Sequence, residues 1–210
     1  AYWRLEERIK DLESLTGSTM GADGSIFAIR RALHRPPPPD IIDDMFVSLS
    51  ILCGGHRVVR APDAFAFEQT TSRSGEEFRR KIRISCQAFN VHRLLWPRLR
   101  ALPLLDRYKY VSHKLLRWVA VYFLLLAGLC AAAGFARLGW WIAFALTLAA
   151  GALPVAGLLT RGGPLRKLAD VMLAFAATGI GVLRSVRGDR FQIWTPPASA
   201  RGGERTEGAS

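Results

Sequence analysis

The chain has 210 residues, half of them hydrophobic, with a formal net charge of +12 and three cysteines. A positive charge of that size raises nucleic acid as a partner, but the basic residues flank two long apolar runs instead of forming one tract, which excludes a nucleic-acid module and points to a lipid surface. Cys53, Cys86 and Cys130 are widely spaced and odd in number, so they read as packing residues and not as a disulfide framework or a metal site.

The chain opens in Tyr2-Trp3-Arg4-Leu5-Glu6-Glu7-Arg8-Ile9-Lys10, the charge pattern of an amphipathic helix. Glu6 and Lys10 form an i,i+4 pair, and Trp3, Leu5, Ile9 and Leu12 supply the apolar positions. A helix already under way at the first residues, without Met, implies upstream sequence. Residues 16–24, rich in Gly, Ser and Thr, read as a loop, and residues 25–29 as a short strand. Prolines 36–39 stop whatever precedes them, and Asp40 comes next. Ile42, Met45, Phe46, Leu49 and Leu52 then recur at helical spacing until Gly54-Gly55 ends the helix. Residues 57–60 read as a second strand, broken by Ala61-Pro62, and residues 64–67 as a third. The basic stretch 76–90 reads as a helix.

Residues 92–117 mix Leu and Trp with Arg and Lys and are interrupted at Pro97 and Pro103, the pattern of one or two amphipathic helices lying in a bilayer interface. From 118 to 136 no residue is charged, and after Arg137 the uncharged run resumes over 138–160. Each run approaches or exceeds the roughly 20 residues that a helix rising about 1.5 Å per residue needs to cross hydrocarbon, so both read as transmembrane helices. Arg98, Arg100, Arg107, Lys109, Lys114 and Arg117 precede the first span, and Arg161, Arg166 and Lys167 follow the second. The positive-inside rule therefore puts both flanks, and with them residues 1–117, in the cytosol. Residues 168–185 form a third apolar segment, transmembrane or re-entrant, with Arg184, Arg187 and Arg190 behind it arguing against a third crossing. The tail, 196–210, is rich in Gly, Ser, Pro and charge and reads as disordered.

The segment Gly21-Ala22-Asp23-Gly24-Ser25-Ile26-Phe27-Ala28-Ile29-Arg30-Arg31 resembles part of the membrane-bound family 2 glycosyltransferases, which include hyaluronan, cellulose and poly-N-acetylglucosamine synthases. Four later segments keep the family's order. Asp43-Asp44 stands at the place of its acidic pair, and Gly55-His56-Arg57-Val58 resembles its recurring glycine-strand segment. Arg80-Lys81-Ile82-Arg83-Ile84 occupies the place of the Gln-x-x-Arg-Trp motif, and Ser112-His113-Lys114-Leu115-Leu116-Arg117-Trp118 leads into the membrane. The resemblance covers residues 1–185. It implies an α/β fold, with residues 1–91 as the acceptor-side, C-terminal half of a GT-A domain, followed by the interfacial and transmembrane helices. It also implies transfer of a sugar, with inversion, from a nucleotide diphosphate sugar to a carbohydrate or lipid-linked acceptor, in polysaccharide biosynthesis at a bacterial inner or plasma membrane.

That chemistry needs a carboxylate to take the acceptor proton. By position in the family pair the resemblance makes Asp44 the base and Asp43 an orienting residue; a capping role at a helix start is compatible with both. Arg80 and Arg83 stand three apart, hence on one helical face, and suit the donor pyrophosphate, although a plain solvated basic face has the same spacing. The chain has Arg80 and Ile84 where the family has Gln and Trp, which weakens the case for a processive polymerase. Asp23, between Gly21 and Gly24, is either a turn residue or a contact to the acceptor or donor sugar. His34, His56, His92 and His113 lie apart and are assigned to no metal. The family's Asp-x-Asp, which holds Mg²⁺ or Mn²⁺, is missing, so that metal is expected in the intact enzyme with ligands outside this chain, and these 210 residues alone are expected to be inactive. The alternative is a noncatalytic membrane-anchored glycan-binding or partner subunit derived from such an enzyme. A small transporter is disfavoured, because the spans carry no charge pairs.

Overall fold

The computed structural model describes residues 2–64, 66, 74–160 and 162–191. Among them run α1 (Tyr2–Leu15), α2 (Asp43–Cys53), α3 (Ser74–Leu99), α4 (Leu104–Tyr110), α5 (Leu116–Arg137), α6 (Trp141–Leu158) and α7 (Gly163–Arg187). A 3-10 turn covers Arg31–Leu33, and a π-helical turn, Val111–Leu115, joins α4 to α5 without a break.

No strand forms among the described residues, which corrects the expected α/β architecture: what is present is all helical. Residues 25–29 and 57–60 have strand-like composition, but a strand exists only where its N–H and C=O groups find a ladder. Residues 57–60 find one backbone bond, from Thr19 N to Val58 O at 2.8 Å, and two serine hydroxyls, Ser18 accepting from Val58 N and Ser14 from Arg60 N. The third expected strand includes Phe65 and Phe67, which lie outside the described residues, as do Arg161 and the tail 196–210.

The first helix faces the opposite way from its apolar pattern. Leu5 and Leu12 are more than half exposed, whereas Glu13 is 5% exposed. The reason is the set of cations behind it. Arg57 donates to the carbonyls of Ser14 and Gly17, and Lys109 to those of Glu13 and Thr16, so the free carbonyls at the end of α1 are satisfied by positive side chains. Arg60 adds ion pairs to Glu7 and Asp11.

The second helix follows its sequence pattern, ending where Gly54 and Gly55 stand, the latter with φ of +81°. Leu49 is fully buried, and Met45, Phe46, Val47, Ile51 and Leu52 pack with Ala88, Val91, Leu95 and Leu99 of α3, with Tyr110 at the end of α4 and with Trp118 at the base of α5. Phe89, His92, Tyr110 and Trp118 form an aromatic cluster there, with His92 Nδ1 2.9 Å from the Tyr110 hydroxyl. The stretch expected as an interfacial unit is therefore divided: residues 92–99 continue α3 past Pro97, and a new helix starts at Leu104. Pro97 withdraws one N–H, and the helix closes two residues later.

Among the described residues three helices are long and apolar enough to cross a membrane: Leu104–Arg137, Trp141–Leu158 and Gly163–Arg187. Phe123, Leu124, Leu125, Leu126 and Leu129 are exposed on α5, as lipid contact requires. α5 and α6 form a hairpin closed at Gly139, with Trp140 and Trp141 exposed beside the turn. α6 is 18 residues long; the same length counted back along α5 from Arg137 reaches Ala120, so Leu158 and Ala120 stand at similar heights. The start of α7 meets the far end of α6: a Cβ on Gly157 would overlap the Leu165 carbonyl. Its later half meets α5 at that same height. Tyr122 donates to the Gly179 carbonyl at 2.6 Å, and a Cβ on Gly179 would stand 2.6 Å from Val121 Cγ1. Both parts of α7 thus touch the end of the hairpin away from its turn.

Candidate active site

The site is built on the first turn of α2. Asp43 is exposed and its Oδ1 accepts the N–H of Asp44 at 2.9 Å, while Asp44 Oδ1 accepts the N–H of Met45 at 2.6 Å. Carboxylates at these positions complement the unpaired N–H groups and positive dipole of a helix start. Asp44 is half-buried, and its second oxygen faces the glycine loop: a Cβ on Gly24 would sit 2.8 Å from Oδ2, so a side chain there would push the carboxylate aside. Burial raises the Asp44 carboxyl above the ordinary range; the Met45 N–H opposes this, Asp43 adds to it, Lys114 opposes it and Asp23 adds to it.

Asp23 is the second acid of the loop. Its Oδ1 accepts from Ser25 N at 3.2 Å and its Oδ2 pairs with Lys10 of α1 at 3.2 Å. Burial works against the charged form, but the Ser25 N–H and the Lys10 ammonium outweigh it and hold the carboxyl below its usual value. Asp23 is thus ionised and engaged, whereas Asp44 is the carboxyl poised to hold a proton. Gly21, with φ of +128°, brings the loop backbone against Lys114, whose Cε and Nζ lie 3.7 Å from the place of a Gly21 Cβ.

Behind this loop, α1 is clamped to the π-helical turn. His113 has both ring nitrogens on carboxylates, Nδ1 at 2.7 Å from Glu13 Oε1 and Nε2 at 3.0 Å from Glu6 Oε1. Arg117 pairs with the other Glu6 oxygen at 3.0 Å, and Met20 N donates to Glu13 Oε2 at 3.1 Å. The hydrogen bond from His113 chiefly, against burial and with help from Arg117, lowers the Glu6 carboxyl to about 2.

The structure therefore brings Gly21, Asp23, Gly24 and Asp44 together. Arg80 and Arg83 stand on α3: Arg80 pairs with Glu77 at 3.5 Å, and half-buried Arg83 donates to Gln87 at 3.3 Å, contacts that do not reach the Asp44 group. The basic side chain set against Asp44 is Lys114. Sequence reasoning placed Lys114 as a flanking cation and in the segment leading into the membrane, paired Glu6 with Lys10, and gave Glu13 no role. The spacing of seven between Glu6 and Glu13, which puts them on one face of α1, was the available signal. Two open hollows on the surface lie elsewhere, one lined by Arg4, Glu7, Asp11 and Arg60 and one by Trp140, Trp141 and Leu146. Among the described residues no group of three or more His, Cys, Asp or Glu side chains is placed to hold a metal ion. No family model matches the chain, and neither a curated protein nor a solved structure matches it.

Proposed function

We propose that this chain is the acceptor-side part of a membrane glycosyltransferase that moves a sugar from a nucleotide diphosphate sugar to a carbohydrate or lipid-linked acceptor with inversion. The observation that carries the reading is Asp44: a half-buried carboxyl with a raised proton affinity, at a helix start, with its second oxygen against the Gly24 backbone. The resemblance, which covers residues 1–185, implies the same residue as the base and supports this reading.

In the reaction the acceptor hydroxyl oxygen bonds to the anomeric carbon as the bond from that carbon to the diphosphate oxygen breaks. The hydroxyl proton passes to Asp44, and the nucleoside diphosphate leaves with the bonding pair. Desolvation makes Asp44 a stronger base than a surface aspartate. Asp23, fixed by Lys10 and Ser25, orients the loop toward the sugar, and Asp43 holds the first turn of α2. A divalent cation such as Mg²⁺ or Mn²⁺, held outside this chain, would neutralise the diphosphate when bound. In this reading the reaction takes place at the bilayer surface beside the hairpin α5–α6, with residues 1–117 on the cytosolic side, which the distribution of Arg and Lys supports.

The test is incubation of membranes carrying the full-length protein with a panel of nucleotide sugars, reading release of nucleoside diphosphate. One sugar donor should be consumed in the presence of acceptor. Release from none of them, with the protein folded and inserted, favours the noncatalytic glycan-binding subunit.

A further inference from the structure

His113 stands on the π-helical turn Val111–Leu115, ahead of the uncharged run that begins at Trp118, and its side chain is only 8% exposed. One ring nitrogen lies 2.7 Å from a Glu13 oxygen and the other 3.0 Å from a Glu6 oxygen. Both nitrogens must donate, because a ring nitrogen without its hydrogen would face a carboxylate with lone pair against lone pair. Each carboxylate is also held as an acceptor on its second oxygen, Glu6 by Arg117 and Glu13 by the Met20 N–H. Both acids therefore stay ionised, and the arrangement requires an imidazolium between two anions. The other charged groups around the ring are Lys10 on α1, Asp106 and Lys109 on α4, Lys114 on the same turn and Arg117 at the start of α5.

The ring holds more than one helix. Glu13 reaches Met20 and Lys10 reaches Asp23, so α1 and the loop Gly21–Gly24, which lies against Asp44, are docked together. We infer that His113 is a proton-dependent latch: with its proton it docks α1 and this loop on the turn that leads into α5, and as the proton leaves, both come away and Asp44 loses the Gly24 backbone beside it. The sign follows from which state holds the proton more tightly. Hydrogen bonds to Glu13 and Glu6 outweigh burial and hold docked His113 above the ordinary value of 6.5. Docking is therefore fully favoured below pH 6.5 and weakens as pH rises through the raised value. Glu6, lowered to about 2, titrates far below that range. Lys114 acts in the opposite direction: burial and Arg117 lower its ammonium to about 8, so docking favours its neutral form and a rise in pH above 8 strengthens docking. Among these groups a loss of docking between pH 6.5 and 8 belongs to His113.

The test reads α1 directly and needs no turnover. Amide hydrogen exchange of the full-length protein in detergent is followed by mass spectrometry from pH 6 to pH 8 and corrected for the intrinsic rate at each pH. The readout is the protection of residues 5–13 of α1 relative to residues 45–52 of α2. Wild type should lose relative protection above pH 6.5, by up to about tenfold for each pH unit until the raised value is passed. His113→Gln, which cannot titrate, should show one level of relative protection across the range. Glu13→Gln keeps an acceptor for the ring but removes one of its two anions, so the loss should begin at lower pH; this variant carries the comparison if His113→Gln does not fold. A wild type whose relative protection stays level from pH 6 to pH 8 overturns the inference. So does a loss that persists in His113→Gln or keeps its place in Glu13→Gln. None of these results depends on sugar transfer, so failure of the latch leaves the transfer reading standing.

Discussion

Alanine at Gly181 probes the seam where α7 packs on α3. A Cβ there would lie 2.6 Å from Ser85 Cβ, 2.7 Å from the Ile82 carbonyl oxygen and 2.9 Å from Cys86 N. Two of these three are backbone atoms inside a helix, so no rotamer change relieves the overlap and α7 must move outward. That motion disturbs the neighbouring contacts of Ser185, whose hydroxyl meets Asn90 and whose carbonyl accepts from Arg93. Replacing glycine in a helix gains about 1 kcal/mol of intrinsic helix propensity, while overpacking a closed interface costs about 1–3 kcal/mol. Because two of the contacts are to backbone, the cost lies at about 2–3 kcal/mol, and the net expectation is a loss of about 1–2 kcal/mol, a fall of about 2–8 °C in the thermal midpoint of a chain this size. The control is Gly128→Ala in α5, where nothing lies within 4 Å of the added carbon. That variant should melt at or slightly above wild type. Both are read by circular dichroism of the full chain in detergent. A Gly181→Ala protein as stable as wild type, or a Gly128→Ala protein destabilised to the same degree, refutes the close-packed seam.

The remaining predictions concern charge, sidedness and one hydrogen bond. Glu6 has a carboxyl lowered from 4.5 to about 2, so its contribution to stability is present above pH 4.5 and is lost as pH falls toward 2. Glu6→Gln should remove about 2 kcal/mol at neutral pH, after allowing for solvent screening, and flatten the acid limb of the stability profile between those values. A limb of unchanged depth in the variant speaks against the clamp. Tyr122→Phe deletes the bond to the Gly179 carbonyl and should cost about 1 kcal/mol in the same melts; no change means that solvent or lipid replaces it. In a cysteine-free background, single cysteines at Leu15, Leu138 and Arg187 report sidedness to a membrane-impermeant maleimide. Leu15 and Arg187 should label from one side and Leu138 from the other, because both parts of α7 touch the hairpin end away from Gly139. Labelling of Arg187 together with Leu138 shows that α7 crosses.

How much of the fold the sequence disclosed depends on how local each signal is. The hairpin was legible because two uncharged runs flanked by arginines need no partner to be recognised, and the structure starts α5 at Leu116 and α6 at Trp141, close to the expected limits. α2 was legible because its apolar spacing and terminal glycines are contained in 14 residues, 42–55. The strands were not, since residues 25–29 and 57–60 carry β-forming side chains but strand formation depends on a ladder that lies elsewhere in space. The length of α3 was missed because Pro97 reads as a stop, whereas burial of Leu95 and Leu99 carries the helix through it. α1 misled most directly. Its apolar pattern pointed inward for Leu5 and Leu12, but ion pairs to a turn a hundred residues away bury Glu6 and Glu13 instead. At the site, the closeness of the Gly21–Gly24 loop to Asp44 was legible only as order along the chain. Lys114 was hidden, because a π-helical turn leaves no periodicity to read.

Asp44 as the proton acceptor is the claim to which the rest returns, and kinetics on the full-length protein reach it directly. Wild type should lose kcat/KM as pH falls through a value above 3.8, the ordinary aspartate figure, because only the ionised carboxyl accepts the proton and burial has raised its affinity. Asp44→Asn should release no measurable nucleoside diphosphate while binding the nucleotide sugar as wild type does. Turnover at the wild-type rate in that variant, with the same acid limb, contradicts the account.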